Sequence, residues 1–298
     1  MDALLAYANG NWVPNHQLAV AVDDVGFLLG ATITERLRTF RGQVFRLDEH
    51  LARMRRSLEV VGLDAAAITD EIARAVPAFV DKNGSQIDSS DDWTVIAFAT
   101  PGVAGRGSAT VCVHGWPLRF GEWAELYARG LPVVVSDVRQ VPDNCWPSEL
   151  KCRSRMHYYL ADMRARAKQP GARAMLLDQE GFVAESTTAN VLVYREQEGL
   201  SSPPDDHILV GVSLGVVREL AGRLGIPFMR RRLTVDELRM ADEVLLASTS
   251  VCLLPVVECD GRPIGDGTPG PAFARLLDAW SEMVGVDVAQ QARRHASR

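Results

Sequence analysis

Lysine is scarce in this 298-residue chain: Lys82, Lys151 and Lys168 are the only three, and arginine carries nearly all of the positive charge. Other absences narrow the field further. No apolar run reaches membrane-spanning length, and the N-terminus has no basic stretch leading into a cleavable apolar core, so the expected location is cytoplasmic with no membrane partner. The five cysteines, Cys112, Cys145, Cys152, Cys252 and Cys259, show no C-x-x-C or Cys/His ligand spacing. That pattern excludes a disulfide framework and a zinc site and fits reduced thiols. The six histidines also lack metal spacing, and there is no Gly-x-Ser-x-Gly or His-Glu-x-x-His motif. With a net charge of -6 there is no basic excess for a nucleic-acid partner, so any anion the protein binds must be met by local groups.

What is present reads as a folded α/β (α+β) chain of two domains. The hydrophobic fraction of 47% is ordinary for a globular protein, and 298 residues exceed the usual size of one core. The expected organisation is an N-terminal α+β domain over 1–116, a connection at 117–130 where Pro117 and Gly121 interrupt the pattern, and an α/β domain over 131–289. A polar tail, 290–298, is expected to be disordered. Asn9-Gly10 and Arg41-Gly42 predict hairpin turns, Asp48 is expected to cap a helix carrying Leu51, Met54, Leu58 and Val61, and a second helix is expected near 66–80. Strands follow at 93–100 and 109–114, then at 131–138, 173–178, 182–185, 190–194 and 244–247. Thr234-x-x-Glu237 is a capping box, Asp260-Gly261 a hairpin turn, and Pro271 opens a final amphipathic helix. Gly102-x-x-Gly105-x-Gly107 lacks the context of a nucleotide loop and reads as a hairpin turn, and Arg230-Arg231-Arg232 as an exposed strand edge.

Among the lysines, Lys82 and Lys168 fall in turn-like sequences after helices. Lys151 instead closes an extended segment and opens a helix whose Met156, Tyr159, Leu160, Met163 and Ala167 recur at helical spacing, which places its ammonium near a packed wall. Burial lowers an amine pKa, and a neutral lysine can form a Schiff base with a carbonyl compound, chemistry closed to arginine. A surface lysine at a strand-helix junction is the alternative reading. Three downstream features bear on the choice. Glu185 ends an apolar strand and precedes a small polar run. Gly211-Val212-Ser213 feeds a helix N-terminus, where free N–H groups and a hydroxyl suit either a phosphate or a plain serine cap. Ser248-Thr249-Ser250 puts three hydroxyls at one strand end.

In order along the chain, these segments resemble the class IV aminotransferase family, the fold-type IV pyridoxal-phosphate enzymes. The matching pieces are His50-Leu51-Ala52-Arg53-Met54, Glu149-Leu150-Lys151, Gly181 to Ser186 with Asn190, Ile208 to Ser213, Ala241 to Val244, Ser248-Thr249, Pro255-Val256 and Asp260 to Gly265. The resemblance implies two domains with the cofactor, pyridoxal 5'-phosphate, in the cleft between them. It also implies Lys151 as the Schiff-base lysine, Glu185 at the pyridine nitrogen, and Arg53, Val212, Ser213 and Thr249 on the phosphate. Thr34, Arg155, Met156 and Ser250 are candidates for the substrate pocket.

Two positions depart from the family pattern. Met156 stands where relatives that transaminate branched-chain amino acids commonly place a tyrosine, with Tyr158 or Tyr159 as substitutes. Thr34 replaces an aromatic residue in Gly30-Ala31-Thr32-Ile33-Thr34-Glu35. Arg153, Arg155 and His157 form a basic cluster beside Lys151, either a solvated face or a carboxylate-binding feature. The expected activity is amino-group transfer between a small apolar, branched-chain-like amino acid and a 2-oxo acid. The alternatives are an aminodeoxychorismate lyase and a catalytically impaired cofactor-binding relative. A homodimer is expected, with apolar Val25 to Gly30 needing cover.

Overall fold

The computed structural model describes residues 3–297. Met1 and Asp2 of the expected first domain and Arg298 of the expected tail therefore lie outside the described residues. The chain divides into two compact units, one running to Leu118 and including Glu149–Ser154, the other containing Arg119–Ser148 and the chain from Arg155 onward.

In the first unit, β1 (Leu5–Ala8) and β2 (Asn11–Pro14) form the expected hairpin. Asn9 and Gly10 both take positive φ, 48° and 86°, as a two-residue turn of this hand requires. A short helix α1 (Val25–Leu28) precedes β3 (Ile33–Phe40), which turns at Arg41-Gly42 into β4 (Gln43–Val44). Helix α2 (Leu47–Val60) begins one residue before Asp48, so Asp48 is not its cap. Left-handed Arg46 precedes the helix without a side-chain cap, and Asp48 and Glu49 in the first turn favour the positive end of the dipole instead. Helix α3 (Ala65–Asn83) runs three residues past the expected end, because buried Asn83 bonds both the N–H and the C=O of Leu5. Strands β5 (Trp93–Thr100) and β6 (Thr110–Pro117), joined across the glycine-rich turn, complete a sheet of order β2-β1-β6-β5-β3-β4. One face of that sheet, with Ile33, Leu37, Val95, Ala97 and Val113, packs on Met54, Leu58, Ile72, Val76 and Phe79 of α2 and α3.

The second unit starts earlier than expected. Phe120, Trp123 and Tyr127, within the stretch read as a connection, are buried around α4 (Leu126–Arg129), and the Tyr127 hydroxyl donates to Val251 O at 2.7 Å. Strand β7 (Leu131–Val135) ends three residues short of the expected boundary. After α5 (Met156–Lys168) come β8 (Arg173–Leu177), β9 (Val183–Ser186), β10 (Ala189–Arg195) and β11 (Gly199–Ser202). Helix α6 (Val212–Arg223), edge strand β12 (Phe228–Arg230) and α7 (Val235–Arg239) follow, the last with the capping box between Thr234 and Glu237 complete. Strands β13 (Glu243–Ser248), β14 (Cys252–Cys259) and β15 (Arg262–Pro263) lead to α8 (Pro271–Val284). The sheet order is β12-β11-β10-β13-β14-β7-β8-β9, and β9 also pairs with β10, so the path closes on itself. Buried Glu243 accepts from the first-turn amides of Ala272 and Phe273 and so caps α8 from a strand.

Two further expectations are corrected here. Residues 290–294 are not a disordered tail: α9 (Val288–Arg294) is capped by Asp287 and buries Val288, Gln291 and Ala292 at helical spacing. The apolar row of α5 is not the packed face either. Met156 is 68% exposed and Tyr159 66%, whereas Ala161 and Ala165 are buried with half-buried Tyr158 beside them. Two alanines let the helix approach the sheet closely, and the bulkier side chains stay outside. No helix among the described residues is long and apolar enough to cross a membrane.

Candidate active site

Lys151 belongs to the first unit, not to the later domain where 131–289 was expected to carry it. Its segment is held there as an added edge on β3. Lys151 O accepts from Thr34 N at 3.0 Å, Arg153 N donates to Thr32 O at 2.9 Å, and Ile33 bridges Cys152. Lys151 N donates to Ser57 Oγ at 3.1 Å, and Ser57, fully buried, in turn donates to Glu149 O at 3.4 Å. Ser57 lies one helical turn from Arg53, so α2 presents both to the lysine segment.

Arg53 is held in turn by Glu35. Arg53 Nε and Nη2 donate to the two Glu35 oxygens at 2.7 and 2.6 Å, and His50 Nδ1 donates to Glu35 Oε2 at 2.8 Å. Burial alone would push the Glu35 carboxyl up, but the Arg53 charge and the bonds from Arg53 and His50 outweigh it and hold the group well below the usual carboxylate range. Burial lowers the His50 pKa despite Glu35, and the Arg53 and Lys151 charges act in the same direction as burial. The sequence reading took Arg53 as a ligand but missed Glu35 and His50 as its support. His50 and Arg53 share one matching stretch, but Glu35 lies on β3, well before it in the chain, and the packing of α2 on the sheet brings the three together.

Antiparallel register also fixes what shares Lys151's face. Thr34 lies opposite both Lys151 and Phe98, and Arg36, Ile96 and His114 form the next row. The Arg153 guanidinium stands over the Phe98 ring at 5.9 Å, and His114 meets that ring edge-on. Thr34 is buried, with Oγ1 donating to Ala97 O at 3.2 Å. Burial, then the charges of Arg153 and Arg36, lower the His114 pKa from 6.5 to about 4. The unfolded chain therefore takes up a proton that the folded chain refuses, so stability is full above pH 6.5 and falls as pH drops toward 4. Urea melts across that window should show a decline that His114→Gln flattens. An equal slope in the variant would remove His114 as its source.

In the second unit, Glu185 is 3% exposed and pairs with Asn190 across the β9-β10 turn. Its Oε1 accepts from Leu209 N at 2.6 Å. Asn190 clamps the same segment, Nδ2 donating to Leu209 O at 2.8 Å and Oδ1 accepting from Gly211 N at 3.0 Å. That segment runs straight into α6, whose N-cap Gly211 supplies no side-chain cap, with Val212 half-buried and Ser213 buried in the first turn. Asn190 also faces Ala247 of β13, so Thr249 and Ser250, just past the end of β13, lie at the same end of the sheet. Strand pairing and the Asn190 bonds thus set Glu185 beside the segment that opens α6 with Val212 and Ser213, and Thr249 and Ser250 follow the strand end next to Asn190. Arg155 is the residue before α5, while exposed Met156 turns away from the buried face of that helix.

Gly211 has no room for a side chain, since a Cβ would stand 2.2 Å from Asn190 Oδ1. Gly211→Ala should therefore displace the clamp and weaken retention of an anion at the α6 N-terminus by about tenfold to a hundredfold, the worth of one or two charge-assisted hydrogen bonds. Titration of the protein with inorganic phosphate measures this. Unchanged affinity would separate the clamp from binding.

The family model described as Amino-transferase class IV matches residues 32–259. D-alanine aminotransferase of Staphylococcus aureus (strain MSSA476) is 28% identical over 287 residues, spanning 93% of this chain and 97% of that protein. D-alanine aminotransferase of Bacillus licheniformis is 28% identical over 280 residues, spanning 91% and 94%. The branched-chain amino acid aminotransferase of T.th., complexed with N-(5'-phosphopyridoxyl)-L-glutamate, superposes with a TM-score of 0.85 at 28% identity, over 100% of this chain and 98% of that one. With the family model covering most of its length, the chain belongs to the class IV aminotransferases, pyridoxal-phosphate-dependent enzymes of fold type IV.

Proposed function

We propose that this aminotransferase moves an amino group between a small apolar, branched-chain-like amino acid, L or D, and a 2-oxo acid. Its residues fit pyridoxal phosphate. A helix N-terminus without a side-chain cap, beside a glycine that admits no Cβ, suits a phosphate, and a buried strand carboxylate suits a protonated ring nitrogen. The observation that carries the reading is the Asn190 clamp, which ties the Glu185 strand to the α6 N-terminus.

When bound, the cofactor supplies a carbonyl that condenses with amines and a ring that draws electron density from the substrate α-carbon. Lys151 would be the residue that holds the cofactor covalently, and its Nζ amine would be the base that takes and returns the proton at the substrate α-carbon. Glu185 would hold the proton on the ring nitrogen. Val212, Ser213 and Thr249 would offset the phosphate charge, with Arg53 as a further cation. Thr34, Arg155, Ser250 and the exposed Met156 are proposed for the substrate pocket. The test is to mix the loaded protein with L- and D-amino acids and 2-oxo acids and follow new amino acid. Pyruvate release from aminodeoxychorismate without amino transfer would favour a lyase, the reading that buried Thr34 and the Arg153 cation over Phe98 keep open.

A homodimer in the cytoplasm is also proposed. Phe27, Leu28 and Leu29 are 70%, 56% and 77% exposed, an apolar run that a two-fold contact would cover. Light scattering should give twice the chain mass, and an active monomer at all dilutions would reject the dimer.

A further inference from the structure

Glu185 has more partners than its backbone clamp. Gln140 Nε2 donates to Oε1 and the Tyr158 hydroxyl donates to Oε2, each at 3.4 Å, in addition to Leu209 N. Tyr158 comes from α5, where it shares the inward face with Ala161 and Ala165 and packs with the Val134, Ala174 and Leu176 cluster. Burial, then the charge of Glu185, raises the Tyr158 pKa, so the phenol keeps its proton and remains a donor. Gln140 points its amide nitrogen at the carboxylate although its own Oε1, also buried, is left without a partner. Turned over, that oxygen would face the Glu185 carboxylate, and the repulsion fixes the orientation.

We propose that Tyr158 and Gln140 are positioning residues for Glu185: they fix its carboxylate rotamer and draw charge from it, and so set how completely the proton rests on the cofactor ring nitrogen. This rests on the assignment of Glu185 to that nitrogen. Each donor makes the carboxylate a weaker base, and a weaker base leaves the shared proton on the ring. The chain thus uses a phenol, but not at the position five residues after Lys151, where Met156 points outward. It stands seven residues after Lys151 and acts through Glu185. Tyr159, 66% exposed, is not its equivalent.

The experiment loads the apoprotein with pyridoxal phosphate labelled with 15N in the ring and reads the ring-nitrogen resonance, alongside kcat and KM for the amino donor. In Tyr158→Phe the resonance should move toward that of unprotonated pyridine. The same variant should lose about tenfold in kcat at nearly constant KM, the worth of one hydrogen bond to a charged group. Gln140→Leu should shift the resonance in the same direction and serves if Tyr158→Phe does not fold. A part that was only structural would lower the melting temperature and leave the resonance in place. If Glu185→Gln moves the resonance and both other variants leave it at the wild-type position, the positioning proposal is overturned while the assignment of Glu185 stands. If Glu185→Gln also leaves it unchanged, the assignment falls and the proposal falls with it.

Discussion

Lys151→Ala is expected to bind pyridoxal phosphate without a covalent bond and to lose turnover by at least the ~10²–10⁴-fold that positioned proton transfer contributes. Lys151→Arg should fare no better, because a guanidinium keeps its proton and offers no nucleophilic amine. No other lysine is placed to stand in: Lys82 lies in the last turn of α3 with its ammonium over the Trp12 ring, and Lys168 is the last residue of α5. Lys151, by contrast, is fixed through backbone bonds to Thr34 and Ser57. Borohydride reduction of the loaded wild type followed by peptide mapping should label Lys151 alone. Label on Lys82 or Lys168 with Lys151 untouched would remove the assignment.

The second large effect is on stability. Glu35→Ala leaves the Arg53 guanidinium and the His50 ring buried without the carboxylate that accepts from both. Breaking a buried pair by deleting one partner costs about 3–5 kcal/mol, because the remaining charge is uncompensated. Urea denaturation of the apoprotein should show a loss of that size, with cofactor affinity falling as Arg53 loses its fixed direction. Glu35→Gln, which keeps the shape and one acceptor, should lie between. A loss below about 1 kcal/mol for the alanine variant would mean that water replaces the carboxylate at no net cost, contrary to a buried ion pair.

Local signals were legible where a few neighbouring residues decide the outcome. Asn9-Gly10, Asp260-Gly261, the Thr234 to Glu237 box and Pro271 act through their own backbone preferences, and the chain follows them. Lys151 stood out because its type is rare and its chemistry specific. The faces of helices were less legible. Periodicity tells which residues of α5 lie together, but not that Ala161 and Ala165 rather than Met156 and Met163 meet the sheet. The polar look of 290–298 likewise concealed Ala292, which is buried on the same helix face as Val288 just before that stretch. Contacts across long separations were out of reach: Lys151 to Ser57 spans 94 residues, and Glu185 to Tyr158 and Gln140 spans 27 and 45. Nothing in a linear pattern announces such pairs before the strands are in register.

The ring of strands in the second unit has a consequence for how the chemistry is protected from error. Glu185 sits on the four-residue strand that closes the ring, matched to Leu176 on one side and Asn190 on the other. In an open sheet a border strand can slip by one residue, and a one-residue slip turns every side chain to the opposite face. Here a slip would have to occur against both neighbours at once, and it would put Ala184 or Ser186 where the carboxylate belongs. Closure therefore works as a register lock on the carboxylate proposed to face the ring nitrogen. Substitutions elsewhere that loosen the barrel without unfolding it are expected to silence the enzyme before they melt it.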